Sequence, residues 1–479
     1  MAAVLKPAVA QRPAEAPGRL RGFASTAREI DDSDLHVEGR LPDWLRGRLL
    51  LNGPALWSLP QGGYEHWFDG LAMFHRIEIG AGRVRYRSRF ARSEDYTRSL
   101  SAGRPAFGAF DTRNPMGFFR RMLHLKNPPI TDNPAVVMSH IGDRWVANTE
   151  TPHLTSFDPD TLATMGRLRF DDGVQMQLMS AHGRTDERGD YWNVGIHLGP
   201  KCTYKLIRMR AGTRRREVIG RLEVRRAGYT HAFAMTPSHA VIWETALRAM
   251  PLSFLFTGRA YIRNFRWEPA SGSRLHAISL DDGSVRSWDI APMLGFHAIQ
   301  AWNDGQDIVL EMPVFDDARV LEDLRLDALR QGQGPCVPRL LRYRMKPGRQ
   351  TAEAEVFGSA LELPQVHPQR DGRARASVTW GAGTDATRPA LFDRTVRLDL
   401  ESGEWREWCR GDAVQLEPLF VPRPGGTAED DGVLLVPTLA DGDTATQLGV
   451  IDARSMQCLA LLQAPQVVPF GFHAAWAGP

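Results

Sequence analysis

Four of the 14 histidines in this chain occupy short apolar settings. They are Ala181-His182-Gly183, Tyr229-Thr230-His231-Ala232-Phe233, Phe296-His297-Ala298 and Phe472-His473-Ala474, the last two sharing one tripeptide. Taken singly, each reads as a packed or surface histidine. Their shared context points further. His182, His231 and His297 each stand before an apolar strand, a turn and a second strand. Four neutral imidazoles form a ligand set for iron, copper, zinc or nickel. They bring no charge of their own, and a metal-bound histidine usually donates its second N–H to a carboxylate. Three glutamates in apolar company could play that part: Glu150 in Asn148-Thr149-Glu150-Thr151-Pro152, Glu362 in Leu361-Glu362-Leu363-Pro364 and Glu417 in Leu416-Glu417-Pro418-Leu419. A carboxylate among apolar neighbours is costly to bury unpaired. For any one of them alone, a solvent-facing strand position is the simpler reading.

Residues so far apart in the chain meet only if the fold gathers strand ends at one place. Short runs of Val, Ile, Leu, Phe, Trp and Arg alternate with turn clusters such as Asp158-Pro159-Asp160-Thr161, Asp281-Asp282-Gly283-Ser284, Glu401-Ser402-Gly403-Glu404 and Asp452-Ala453-Arg454-Ser455. Asp and Gly there supply the turns that hairpins need. Regular hairpins over some four hundred residues, with no linker-like break, predict an all-β propeller in preference to a sandwich array. The repeats are too degenerate to count blades. In a radial fold, equivalent strand ends converge on the axis, and the histidines with them. The tail Pro469-Phe470-Gly471-Phe472-His473-Ala474-Ala475-Trp476 is aromatic and nearly uncharged, so it should dock into the body. Residues 1–24 read as a disordered lead, 25–479 as one domain, with structure starting near Leu41-Pro42-Asp43-Trp44.

Two segments break the strand texture, 115–123 and 246–267. Both mix bulky apolar residues with arginine. Two readings stay open: helices resting in a bilayer headgroup region, or helices packed between strands. The remaining bulk properties exclude several classes. A net charge of +3 with 24% charged residues is no nucleic-acid binder's footprint. Four scattered cysteines form no CxxC pair, fitting neither a zinc site nor a disulfide framework, and predict a reducing compartment. No secretory signal and no apolar run approaching roughly 18 residues is present. The expectation is a cytoplasmic protein, peripheral on a membrane if the first reading of the two segments holds.

These residues resemble those of a known family, the carotenoid cleavage oxygenases (the retinal pigment epithelial membrane protein family). The resemblance runs from about Asp34 to Trp476. Asn52-Gly53-Pro54, His66-Trp67-Phe68-Asp69-Gly70 and Met73-Phe74-His75 resemble its opening blade. The four histidine contexts follow its metal-ligand motifs in order, and Glu150, Glu362 and Glu417 its outer carboxylates. Glu429-Asp430-Asp431-Gly432 also fits. The resemblance implies a seven-bladed β-propeller with helical or loop insertions capping one face. It also implies Fe(2+) on His182, His231, His297 and His473, with Val136 on the metal's open side. The implied reaction is cleavage of a polyene double bond by O2, giving two carbonyl products. Ala474 stands where the family often has glycine, and Ala298 where it often has a polar residue. Neither change removes a ligand atom. His66, His75, His140, His153, His197, His239 and His367 are then structural or surface residues. A stilbene-cleaving branch carries a lysine where this chain has Thr149, which favours the polyene. Isomerisation without cleavage stays open within the family. The alternative from another class is a non-catalytic propeller platform, and iron content would separate the two.

Overall fold

The computed structural model describes residues 17–80, 82–123, 129–199, 201–385, 387 and 391–479. Its described strands form seven antiparallel sheets of four to six strands, and two small two-stranded ribbons. The seven sheets are the blades of a β-propeller. Most blades are built from consecutive strands, such as Gln300–Asp304, Asp307–Val314, Arg339–Met345 and Glu353–Ser359.

Why these runs form strands is visible in their alternation. In Arg83–Phe90, Val84, Tyr86, Ser88 and Phe90 are buried, while the four intervening arginines face outward. Arg87 and Arg89 pair there with Asp31 and Asp32 of the neighbouring strand Ile30–Asp34. Successive strand residues point to opposite faces, so one face packs and the other is solvated. The turns share one device. A strand-ending aspartate accepts the N–H three residues on, as Asp158 does from Thr161 (2.7 Å), Asp399 from Ser402 (2.8 Å) and Asp452 from Ser455 (2.7 Å).

The ring closes through both ends of the chain. The C-terminal strand Ala474–Ala477 pairs with Gly47–Leu56, Trp476 opposite Leu49. The N-terminal strand His36–Gly39 pairs with Cys458–Gln463 of the last blade. The tail docks as a packed element. Phe470 is 1% exposed, stands edge-on to Phe23 at 5.1 Å, and its carbonyl accepts the Trp67 indole N–H at 2.8 Å. A methyl on Gly471 would lie 2.4 Å from the Asn52 carbonyl oxygen, and one on Gly53 would lie 2.4 Å from Gly471 Cα. The two backbones therefore touch where only glycine fits.

The start of structure differs from expectation. Residues 1–16 of the expected lead lie outside the described residues. Gly18–Phe23 is a 3-10 helix, and Phe23 is fully buried. Strands Ile30–Asp34 and His36–Gly39 precede Leu41, and Asp43 and Trp44 form only a turn. These strands are too short and charged to show alternation. Their pairing partners make them strands.

Helical insertions cap one end of the ring: Glu94–Ala102, Phe118–Leu123, Pro251–Phe256, Val320–Asp323 and Leu326–Arg330. Buried Asp111 ties the cap together, accepting from Arg263 Nε (2.6 Å) and Nη2 (2.7 Å) and from Arg325 Nη1 (2.5 Å). The segments 115–123 and 246–267 meet there, Arg121 donating to the Phe256 carbonyl at 3.1 Å. Phe119 and Leu123 are each 83% exposed, with Phe118 and Phe256 exposed nearby. Among the described residues no helix is long and apolar enough to cross a membrane.

Two predictions follow from this packing. Gly471→Ala should lower stability by about 1–3 kcal/mol through overpacking, read as a urea midpoint; an unchanged midpoint would contradict the close approach. The second concerns His66, which is 1% exposed. Its Nδ1 accepts the Phe68 N–H (3.1 Å) and its Nε2–H meets the Leu321 carbonyl (2.9 Å). Burial pushes its pKa down to about 4. The unfolded chain therefore binds the proton first as pH falls. Stability from this group is complete above about pH 6.5 and is lost toward pH 4, by about 3 kcal/mol. His66→Gln should remove one proton from the slope of unfolding free energy against pH in that window.

Candidate metal centre

Each of the four histidines sits at the axis-facing edge of a different blade. His231 precedes Ala234–Met235, His297 precedes Gln300–Asp304 and His473 immediately precedes Ala474–Ala477. His182 lies in the break between Leu178–Met179 and Arg184–Thr185, two short strands that pair with one neighbour, Tyr191–His197. That break is held in place. Ser180 Oγ accepts the His182 N–H (3.1 Å) and donates to the His231 carbonyl (2.8 Å), while Asn148 Nδ2 donates to the Ala181 carbonyl (3.0 Å). A methyl on Gly183 would lie 2.1 Å from the Tyr191 hydroxyl, so a side chain there would displace the Tyr191 ring.

The structure brings all four rings together. One nitrogen from each lies within 4.8 Å of the others. Ring centroids are 4.5 Å apart for His182–His473 and 5.0 Å for His182–His297, His231–His297 and His297–His473. Neighbouring rings stand nearly edge to face, at 76–89° for these pairs. Rings in that arrangement aim nitrogens at a common point and do not stack.

The three glutamates stand behind three of the rings. His231 Nδ1 meets Glu150 Oε1 at 2.6 Å, His297 Nδ1 meets Glu362 Oε2 at 2.7 Å, and His473 Nδ1 meets Glu417 Oε1 at 2.8 Å. A carboxylate accepts, so each Nδ1 carries the proton and each Nε2 faces the centre as a lone pair. His182 has no carboxylate partner among the described residues. Every glutamate also takes a further donor: the Tyr229 hydroxyl on Glu150 (2.5 Å), the Leu363 N–H on Glu362 (2.7 Å), and the Gln365 amide (2.9 Å) and Ala474 N–H (2.7 Å) on Glu417.

Electrostatics keep His182 and His297 neutral. Burial, then the neighbouring rings, holds His182 and His297 well below the usual histidine range. Burial pushes Glu362 up to about 7, against the Leu363 N–H. Burial and the Glu150 carboxylate hold the Tyr229 hydroxyl well above its usual range, so it is a donor. The residues fit a metal ion on a direct observation. His297 Nε2 is buried, faces the other rings, and has no hydrogen-bond partner. The lone pairs of His231, His297 and His473 converge here and repel one another until a cation lies among them.

Two cavities meet at the rings. Under the cap lies a largely aromatic and aliphatic cavity of about 1360 Å³, including its open mouth. Phe68, Phe110, Phe296, Phe472, Val136 and Thr149 line it, and His231, His297 and His473 form its floor. Among the described residues lining it, none is lysine or arginine. From the opposite side a second cavity reaches His182, His297 and His473, lined by Gln365, Arg184 and Asp371. Arg184 and Asp371 form an ion pair there. Of the other expected positions, Glu429 lies apart. It accepts the Ser377 N–H and hydroxyl at 3.0 Å and serves blade structure. Tyr229, Gln365, Ser180 and Asn148 were missed by sequence reasoning. Only Tyr229, two residues before a candidate ligand, carried a usable signal.

A family model described as retinal pigment epithelial membrane protein matches residues 23–478. Among curated proteins, the chain is 31% identical to carotenoid cleavage dioxygenase 8 homolog A, chloroplastic, of Oryza sativa subsp. japonica, over 96% of this chain and 87% of that protein. It is 29% identical to the apocarotenoid-15,15'-oxygenase of Synechocystis, over 96% of each. Among solved structures, cobalt-substituted Synechocystis apocarotenoid oxygenase superposes with a TM-score of 0.84 at 26% identity, over 96% of this chain and 98% of that one.

Proposed function

Because the chain belongs to the retinal pigment epithelial membrane protein family, we propose that it is a non-haem Fe(2+) dioxygenase of carotenoids or apocarotenoids. In this reading one carbon–carbon double bond of the polyene is cleaved with O2 into two carbonyl products. The observation that carries it is the junction of four inward imidazoles with an apolar cavity. His182, His231, His297 and His473 would hold the iron. Bound iron(II) supplies the place where dioxygen is activated.

The rest is what the chain does. Each of the two carbons takes one oxygen atom, so the overall reaction moves no proton. The protein's work is therefore positional. Glu150, Glu362 and Glu417 fix three ring orientations and balance the metal's charge. Phe296 and Phe472, each next to a candidate ligand in the chain, form the aromatic wall against which a flat polyene would lie. Val136 occupies the cavity beside the rings and limits what approaches them. A cavity without lysine or arginine among its described lining favours an uncharged polyene, and Thr149 offers no cation to a phenolic stilbene. The exposed Phe118, Phe119, Leu123 and Phe256, with Arg121 between, form a surface suited to a bilayer headgroup region, through which a lipid-dissolved substrate would reach the cap. Four free cysteines fit a reducing compartment, so the proposed location is the cytoplasm at a membrane surface.

His297→Ala should drop bound iron below about one tenth of wild type, since loss of even an outer partner of a metal ligand costs about 10–100-fold in affinity. Turnover of β-carotene and a set of apocarotenals should fall with it, with products resolved by mass and resveratrol as the stilbene control. Full iron with full turnover would contradict the assignment. For the membrane contact, wild type should float with liposomes. Phe119→Ser/Leu123→Ser should reduce the floated fraction about tenfold or more, given about 1.5–3 kcal/mol per buried side chain. A wild type that stays at the bottom of the gradient would end that part of the reading.

A further inference from the structure

The three carboxylates behind the rings do not receive equivalent second donors. Glu362 receives a backbone amide, and Glu417 a backbone amide and a carboxamide. Glu150 receives a phenol, at 2.5 Å. A phenol O–H is far more acidic than an amide N–H, and its bond to a carboxylate is correspondingly short and strong. At all three carboxylates a further donor shares the oxygen that the imidazole uses, and at Glu150 that donor is the phenol. Tyr229 Oη and His231 Nδ1 both donate to Glu150 Oε1, while Glu150 Oε2 is buried with no hydrogen-bond partner.

The geometry has a local cause. Tyr229 and His231, two apart in the chain, turn to the same side and address one carboxylate together. Tyr229 is clamped at both backbone groups. Its N–H donates to the Leu247 carbonyl (2.8 Å) and its carbonyl accepts the Thr245 hydroxyl (3.1 Å). Its ring is 0% exposed and packs edge-on to Phe265 and Phe296 at 6.0 and 6.3 Å. The ring that carries the hydroxyl is thereby held against Glu150.

We infer that Tyr229 is a positioning residue that sets the electron donation of His231 by withdrawing charge from Glu150. A carboxylate pulling on Nδ1–H makes the imidazole a stronger donor at Nε2, which favours the more highly charged metal. Tyr229 diverts part of that pull and so favours the ferrous form. The inference rests on the four-histidine iron reading and deepens it, because an enzyme working in air must resist oxidation to the ferric state between turnovers.

The test is the ferric/ferrous midpoint potential of the iron-loaded protein, titrated spectroscopically, for wild type, Tyr229→Phe and Tyr229→Leu. Loss of the hydroxyl should favour the ferric form about tenfold in both variants, a fall of about 59 mV for one electron. Ferric iron should also accumulate faster in air. A Phe variant with the wild-type potential and a Leu variant that departs from it would make Tyr229 a packing residue only and overturn the inference. Equal potentials in all three would do the same. Wild type that takes up no iron would instead sink the metal reading beneath it. Iron content measured alongside therefore separates the two failures.

Discussion

Four uncharged imidazoles cannot be gathered around one point in a protein interior without help. His231, His297 and His473 each present a lone pair inward, His182 Nε2 lies 3.1 Å from His231 Nε2, and the point they enclose is suited to a cation that the rings do not neutralise. The carboxyl groups that can balance it stand one step back, on Glu150, Glu362 and Glu417, each at 2.6–2.8 Å from an Nδ1. A buried ionised carboxylate costs several kcal/mol unless it is paired. Here each is met by an imidazole N–H and at least one further donor. The arrangement fixes tautomer, ring direction and charge balance with one set of bonds, and the propeller supplies the places from which those bonds are made.

That dependence runs through the ring closure. The first blade combines residues 30–34, 47–56, 71–80 and 83–90 with 474–477. His473 reaches the axis only because the tail behind Gly471 lies against Asn52 and Gly53. The same closure places Phe472 in the apolar cavity beside Trp67 at 4.7 Å. Stability of the fold and completeness of the site are therefore one requirement at this end of the chain. The rings also divide two environments. The cap side is aromatic, and the opposite side is lined by Gln365, Arg184 and Asp371. An apolar reactant and a polar approach to the same centre are kept on separate sides.

Much of this was legible in residue order. Histidine followed by strand, turn and strand is a radial phrase, and it marked His182, His231 and His297. A glycine-bearing aromatic tail marked His473 as docked. Glutamate beside leucine and proline made Glu362 and Glu417 candidates, while Glu150, between two threonines, was picked out by the family resemblance. Blade number was legible only through the family resemblance, because the Asp-led turns vary too much to count and the first blade is assembled from both chain ends. The charged strands Ile30–Asp34 and His36–Gly39 were not legible either. An edge strand facing water needs no alternation, and its partner decides its conformation. Tyr229 was passed over because a tyrosine among apolar residues reads as core, and its hydroxyl contact depends on a segment 79 positions away.

The most direct measurement is anomalous diffraction at the iron edge from a crystal of the iron-loaded protein. The account predicts one dominant peak on the propeller axis, bonded to Nε2 of His182, His231, His297 and His473, with Glu150, Glu362 and Glu417 still on the Nδ1 atoms. A loaded crystal with no peak there, or with a peak elsewhere and the rings turned apart, would contradict it.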